Sequence, residues 1–128
     1  MPDLLTLARG SDILVIAASG GAGSRHLVNR EIMEALGADG FLVNVARGSV
    51  VDEQALIQVL DAEKLGGAAL DVFEHEPDVP VPLRHSARAV LQPHRASATV
   101  ETRLAMGELV IKNLAAHFAD QSLLTAVI

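Results

Sequence analysis

Four short apolar runs, at residues 13–17, 41–45, 67–72 and 89–91, alternate with stretches of helical periodicity. That alternation constrains the fold more than any other feature. None of the runs alternates polar with apolar residues. Continuous runs of this length are expected for strands buried on both faces of a sheet. Between them, residues 4–8 read as the end of a helix stopped by Gly10. Asn29 can cap a second helix through Leu36, with Gly37 ending it. Asp52 can cap a third, whose Ala55, Leu56, Val59 and Leu60 fall on one face. The longest helix is expected from about residue 99 to 118, with Leu104, Leu109, Ile111, Leu114 and Phe118 as its apolar stripe. Residues 74–90 hold Pro77, Pro80 and Pro82 and little periodicity, and are expected to form a surface loop. Strands alternating with helices in this way imply right-handed crossovers and a parallel α/β sheet.

The bulk numbers narrow the function classes. A chain of 128 residues fits one domain with one core. Half the residues are apolar and a fifth are charged, which suits a globular protein. A net charge of −6 favours neither nucleic acid nor an acidic membrane surface as partner. The absence of cysteine excludes disulfides and thiolate metal sites, and no metal site is expected. No apolar run approaches the roughly 18 residues of a membrane helix. The opening Met-Pro-Asp-Leu-Leu-Thr lacks the basic region of a signal peptide, so the expected location is the cytoplasm.

Open parallel sheets bind ligands beyond the carboxyl ends of their strands. The first strand is followed by Ser19-Gly20-Gly21-Ala22-Gly23, and the second by Arg47-Gly48-Ser49. The third is followed by Asp71 and Glu74-His75-Glu76-Pro77, and the fourth by Pro93-His94. The glycine run resembles a phosphate-binding fingerprint, but the third glycine position holds His26 and no acid ends the next strand. A loop that lets backbone approach a ligand is the better reading.

Arg47 can clamp a carboxylate with two parallel hydrogen bonds, or it can be an ordinary loop arginine. His94 can act as a general acid/base, or it can be a hydrogen-bonded structural histidine. Glu76 can orient His94 and favour its charged form, or it can be a solvated loop carboxylate. Asp71 ends a buried strand, where a charge needs a partner or a helix to cap. His26, His75, His85 and His117 show no pairing at metal spacing and read as surface residues. An anion clamp, a histidine and its carboxylate together suit the reduction of a 2-keto acid.

Three longer segments carry a family resemblance. Asn44-Val45-Ala46-Arg47-Gly48-Ser49-Val50-Val51-Asp52-Glu53 resembles the arginine signature of the D-isomer-specific 2-hydroxyacid dehydrogenases. Gly67-Ala68-Ala69-Leu70-Asp71-Val72-Phe73-Glu74-His75-Glu76-Pro77 resembles their glutamate signature. Leu91-Gln92-Pro93-His94, followed by Ser97-Ala98-Thr99, resembles their histidine signature. The three occur in the family's order within a match over about residues 3–118. The Ser19–Gly23 loop and Leu123-Leu124-Thr125 lean toward the glyoxylate/hydroxypyruvate reductase branch. The chain departs from the family at Ser19-Gly20-Gly21, often Pro-Leu-Thr, and at Gln92-Pro93-His94-Arg95-Ala96, often Thr-Pro-His-Ile-Gly.

The resemblance implies an incomplete Rossmann-like three-layer fold spanning residues 1–128, with about 99–120 as the helix leading back toward a catalytic domain. It implies NAD or NADP as cofactor and a small 2-keto or 2-hydroxy acid as substrate. Arg47 would bind the substrate carboxylate, with His94 and Glu76 as the acid/base pair. Ser19, Val45, Asp71, Ala96 and Ser97 would line the cofactor. The first strand of a complete family member, its glycine fingerprint and its ribose-reading acid have no counterpart here. The strand at 13–17 is therefore expected to be an open edge, and a homo-oligomer through that edge is expected. The alternative is a catalytically inactive α/β module used for interaction or dimerisation.

Overall fold

A computed structural model describes residues 3–126 and divides into two compact units, meeting in sequence between His94 and Arg95. The first holds a four-stranded sheet in the order β1 (Ile13–Ile16), β2 (Phe41–Asn44), β3 (Gly67–Leu70), β4 (Ala89–Leu91), with every neighbouring pair parallel. Helix α1 (Leu4–Arg9) precedes β1, α2 (Arg30–Leu36) joins β1 to β2, and α3 (Glu53–Asp61) joins β2 to β3. The parallel α/β class is thus as the sequence implied.

The helices start where side chains can satisfy their free N–H groups. Asp3 accepts from the Thr6 amide at 2.8 Å, Asn29 from Ile32 at 3.1 Å and Asp52 from Ala55 at 2.9 Å. Gly37 ends α2 with φ 90°, a conformation that favours glycine. Their apolar faces meet the sheet in one core, in which Met33, Leu42, Leu56, Val59 and Leu65 are sealed from solvent.

Two expectations need correction. Strands β1, β2 and β4 are not buried on both faces, whereas β3 has no exposed residue. In β1, Leu14 and Ile16 point into the core while Ile13 and Val15 are exposed; β2 exposes Phe41 and buries Leu42 and Asn44; Val90 of β4 is also exposed. The physical reason lies in the strand order. Right-handed crossovers that always step in one direction put successive helices on the same face of a sheet. Residues 74–90 are also not wholly loop, since they contain a short helix, α4 (Val81–His85). Pro82 falls in the first turn, where a missing N–H costs nothing, and Leu83 anchors the turn in the core.

The second unit consists mainly of α5 (Val100–Phe118), close to the expected span, capped by Thr99 on the Thr102 amide. Leu104, Ile111, Leu114 and Phe118 are exposed along it. A tail contact returns to this helix, with Asn113 Oδ1 accepting from the Thr125 amide at 3.2 Å.

The one-sided core makes a testable division. Leu56→Ala should cost about 2–5 kcal/mol in urea unfolding, because Leu56 is fully buried. Val15→Thr, on the exposed face, should stay within about 0.5 kcal/mol of wild type.

Candidate active site

The parallel register aligns Ile16 with Asn44 and Asn44 with Leu70, so three strands end level. The loops that follow emerge along one edge of the sheet. His94 follows β4 there and adopts φ 51°, an uncommon left-handed backbone for a side-chain-bearing residue. Its ring Nδ1 lies 2.7 Å from Glu76 Oε2. The other carboxylate oxygen, Oε1, accepts the Phe73 amide at 3.0 Å. An ionised carboxylate can only accept, so Nδ1 carries the proton and Nε2 is left to face a ligand. The hydrogen bond from His94 chiefly, with help from the Phe73 amide and the charges of His94 and Arg47, holds the Glu76 carboxyl below the ordinary glutamate range. The pair borders a small cavity of about 190 Å³ walled by Phe73, Pro77, Val79 and Pro93.

Arg47 stands in a second concavity of about 680 Å³, between the ends of β1 and β2, with Ser19, Gly20, Gly21, Val45 and Ser49. Its turn is built by Asn44, which is almost completely buried. Asn44 Oδ1 accepts the Ala46 amide and its Nδ2 donates to the Arg47 carbonyl, both at 3.1 Å. The guanidinium Nη1 donates to the Ala46 carbonyl at 2.7 Å. The structure therefore brings His94 and Glu76 into contact, while Arg47 reaches Glu76 through its field.

The glycine loop serves the arginine. A Cβ on Gly20 would lie 2.7 Å from Arg47 Cγ, so the stem of Arg47 passes over Gly20 only because no side chain is there. The loop then enters a three-residue 3₁₀ turn (Ala22–Ser24), and α2 starts later, at Arg30. No long helix opens at these glycines, as a phosphate fingerprint would need.

Of the other expected residues, Ser19 and Val45 line the Arg47 concavity. Asp71 follows β3, is buried, and gives its amide to the Asn44 carbonyl at 3.0 Å. Ala96 and Ser97 lie in the second unit, in a turn where the Ala98 amide donates to Arg95. His75 and His85 are exposed, as expected. His26 is not a free surface histidine: it is half-buried, with Nε2 3.0 Å from Glu74 Oε1, which also receives Arg25 at 2.6 Å. The buried Asn44, which builds the Arg47 turn, was not among the expected site residues. The only signal for Asn44 was a polar residue closing a buried apolar strand. A larger concavity of about 900 Å³ lies among α1, α2 and α3 and is lined by Arg30, Glu31 and Glu34. It sits away from the strand ends, where ligands of such sheets bind.

Residues 1–96 match the family described as D-isomer specific 2-hydroxyacid dehydrogenase, NAD binding domain. The chain belongs to this family. Among its relatives, a 2-ketogluconate reductase of Gluconobacter oxydans (strain 621H) is 51% identical over 127 residues, covering 99% of the chain and 41% of the relative. A glyoxylate/hydroxypyruvate reductase A of Arabidopsis thaliana is 54% identical over the same length, covering 99% and 41%. The crystal structure of an NADPH-dependent glyoxylate/hydroxypyruvate reductase from Sinorhizobium meliloti, in complex with NADP and malonate, superposes with a TM-score of 0.95 at 45% identity. That match covers 99% of this chain and 40% of the reductase. The chain thus spans about two fifths of the length of these D-2-hydroxyacid dehydrogenase relatives.

The dyad makes a prediction for stability in acid. A folded-state value below the unfolded one contributes stability above the ordinary glutamate value of 4.5, and that contribution is lost as pH falls through the lowered value. On acidification from pH 6, wild type should therefore lose more stability than Glu76→Gln in urea unfolding. Equal losses would mean that the His94–Glu76 contact does not form in solution.

Proposed function

We propose that the chain carries the substrate-clamping and acid/base part of an oxidoreductase that interconverts small 2-keto and 2-hydroxy acids, of the glyoxylate or hydroxypyruvate type. The observation that carries this reading is the 2.7 Å His94–Glu76 pair at the strand ends of a chain from the D-2-hydroxyacid dehydrogenase family. In reduction, Arg47 holds the substrate carboxylate and polarises the keto group. His94 Nε2 delivers a proton to the keto oxygen, and takes it back from the hydroxyl in the reverse direction. Glu76, kept ionised by its contacts, holds the imidazole by Nδ1 and balances its charge.

A nicotinamide cofactor would supply the hydride in reduction, as NADH or NADPH, and would accept it in the reverse direction, as NAD or NADP. The donor set suits such a group. The concavity beside Arg47 is walled largely by backbone and small side chains from Ala17 to Gly21 and from Val45 to Ser49. Ser19 and the Val45 backbone would line it, with Asp71 at the neighbouring strand end taking a carboxamide. No described helix is long and apolar enough to cross a membrane.

The test is reduction of glyoxylate and hydroxypyruvate with NADH and with NADPH. Any activity above background should fall about 10²–10⁴-fold in His94→Gln. Equal rates in wild type and His94→Gln would refute the reading.

One observation favours a second reading, a module for self-association. Among the described strands β1 pairs only with β2, and its Ile13 and Val15 are exposed. An apolar edge of this kind is a template for another strand. Light scattering over rising concentration should show dimers; a strictly monomeric chain would exclude association through β1.

A further inference from the structure

The turn after β3 is held by three contacts of the consecutive residues Phe73 and Glu74, only one of which lies within the turn. Phe73 N–H donates to Glu76 Oε1, as described above. Glu74 N–H donates to Glu53 Oε1 at 2.7 Å. The Glu74 side chain meets Arg25 and His26. The loop carrying Arg47 presses on the same turn, because a Cβ on Gly48 would fall 1.9 Å from the Phe73 carbonyl carbon and 2.3 Å from the Glu74 nitrogen. No side chain fits between the two backbones.

Glu53 is an unusual choice for such an anchor. It is only 5% exposed, and burial, its first influence, pushes its carboxyl above the ordinary range, with Glu74 and Glu76 nearby adding repulsion and His75 opposing it. Helix α3 does not require a buried acid, since Asp52 already caps it and an acid on the surface of the first turn would serve the helix dipole equally. The Glu74 amide does require an acceptor, because it lies outside the sheet ladder in a partly buried place. A carboxylate accepting a backbone N–H is among the stronger hydrogen bonds available.

We propose that Glu53 is a positioning residue for the His94–Glu76 pair: by accepting the Glu74 amide it fixes the turn that presents Glu76 to His94, with Gly48 setting that turn against the Arg47 loop. The proposal takes the role of the pair from the oxidoreductase reading above. It explains why a carboxylate stays buried at that point, and it links the anion clamp to the acid/base pair through one backbone junction. Small displacements of such a pair matter, since a misplacement of about 1 Å can cost a hundredfold in rate.

The test follows the Glu76 carboxyl carbon by ¹³C NMR through an acid titration. Wild type should titrate below an ordinary glutamate. Glu53→Gln keeps a carbonyl acceptor and should leave the Glu76 midpoint unchanged. Glu53→Met keeps the length, removes the acceptor, and should move the Glu76 midpoint up toward the ordinary value. A Glu53→Met chain that is folded but less stable, with Glu76 titrating as in wild type, would reduce Glu53 to a merely structural role and overturn the proposal. Should Glu53→Met fail to fold, the wild-type chain decides: the Glu74 amide proton shift should follow the ionisation of Glu53, and an indifferent amide overturns the proposal. These readouts need no turnover. An inactive chain showing them would refute the oxidoreductase reading alone, and an active chain lacking them would refute the positioning role alone.

Discussion

The parallel hydrogen-bonded register of β1, β2, β3 and β4 aligns Ile16, Asn44, Leu70 and Leu91, and the placement of every candidate residue in the first unit follows from it. Backbone ladders fix the strand ends in relation to one another, so residues far apart in sequence leave the sheet at one level. Ser19, Arg47, Asp71, Glu76 and His94 come from four separate segments. Shifting one strand by a residue would exchange its two faces, sending Leu14 and Ile16 to solvent and Ile13 and Val15 inward. The core packed by α2 and α3 thus protects the site's geometry as well as its stability.

Above that frame, the site is assembled from backbone contacts as much as from side-chain chemistry. Asn44 shapes the turn that carries Arg47, Gly20 leaves room for the stem of Arg47, and Gly48 lets the arginine loop meet the turn before Glu76. The catalytic types are half-exposed: the His94 and Glu76 side chains retain 46% and 36% of their accessible surface. Their contact is held because Glu76 is already fixed by the Phe73 amide before it meets the imidazole. An exposed ion pair alone would be a weak device. Tied to backbone at the end of a buried strand, the same pair can set the tautomer of a histidine.

Much of this was legible in the sequence for identifiable reasons. Asn29 and Asp52 announced helix starts, and the alternation of apolar runs with helices announced a parallel sheet. The three signatures led to the family and to Arg47, Glu76 and His94. Other features could not be read. The exposure of Ile13, Val15, Phe41 and Val90 depends on which face the crossovers occupy, and their continuous apolar runs look the same in either case. Helix α4 was hidden because its prolines resemble loop punctuation, although Pro82 sits where a helix tolerates it. The Glu74–His26 contact joins residues 48 positions apart, and neither has a local pattern that marks the other. Nothing in the residues beside Glu53 marks it as buried, since burial is decided by the fold.

In the proposed function, the strand ends gather the groups that recognise a small 2-keto acid. The most direct measurement is an NMR titration of the chain with glyoxylate, following the backbone amides, the Arg47 guanidinium and the His94 ring. That gathering predicts saturable shifts concentrated at residues 17–21, 45–49 and 94, with Arg47 and His94 affected together. Saturable shifts confined to the concavity among α1, α2 and α3, or none at Arg47 and His94 at any concentration, would contradict it.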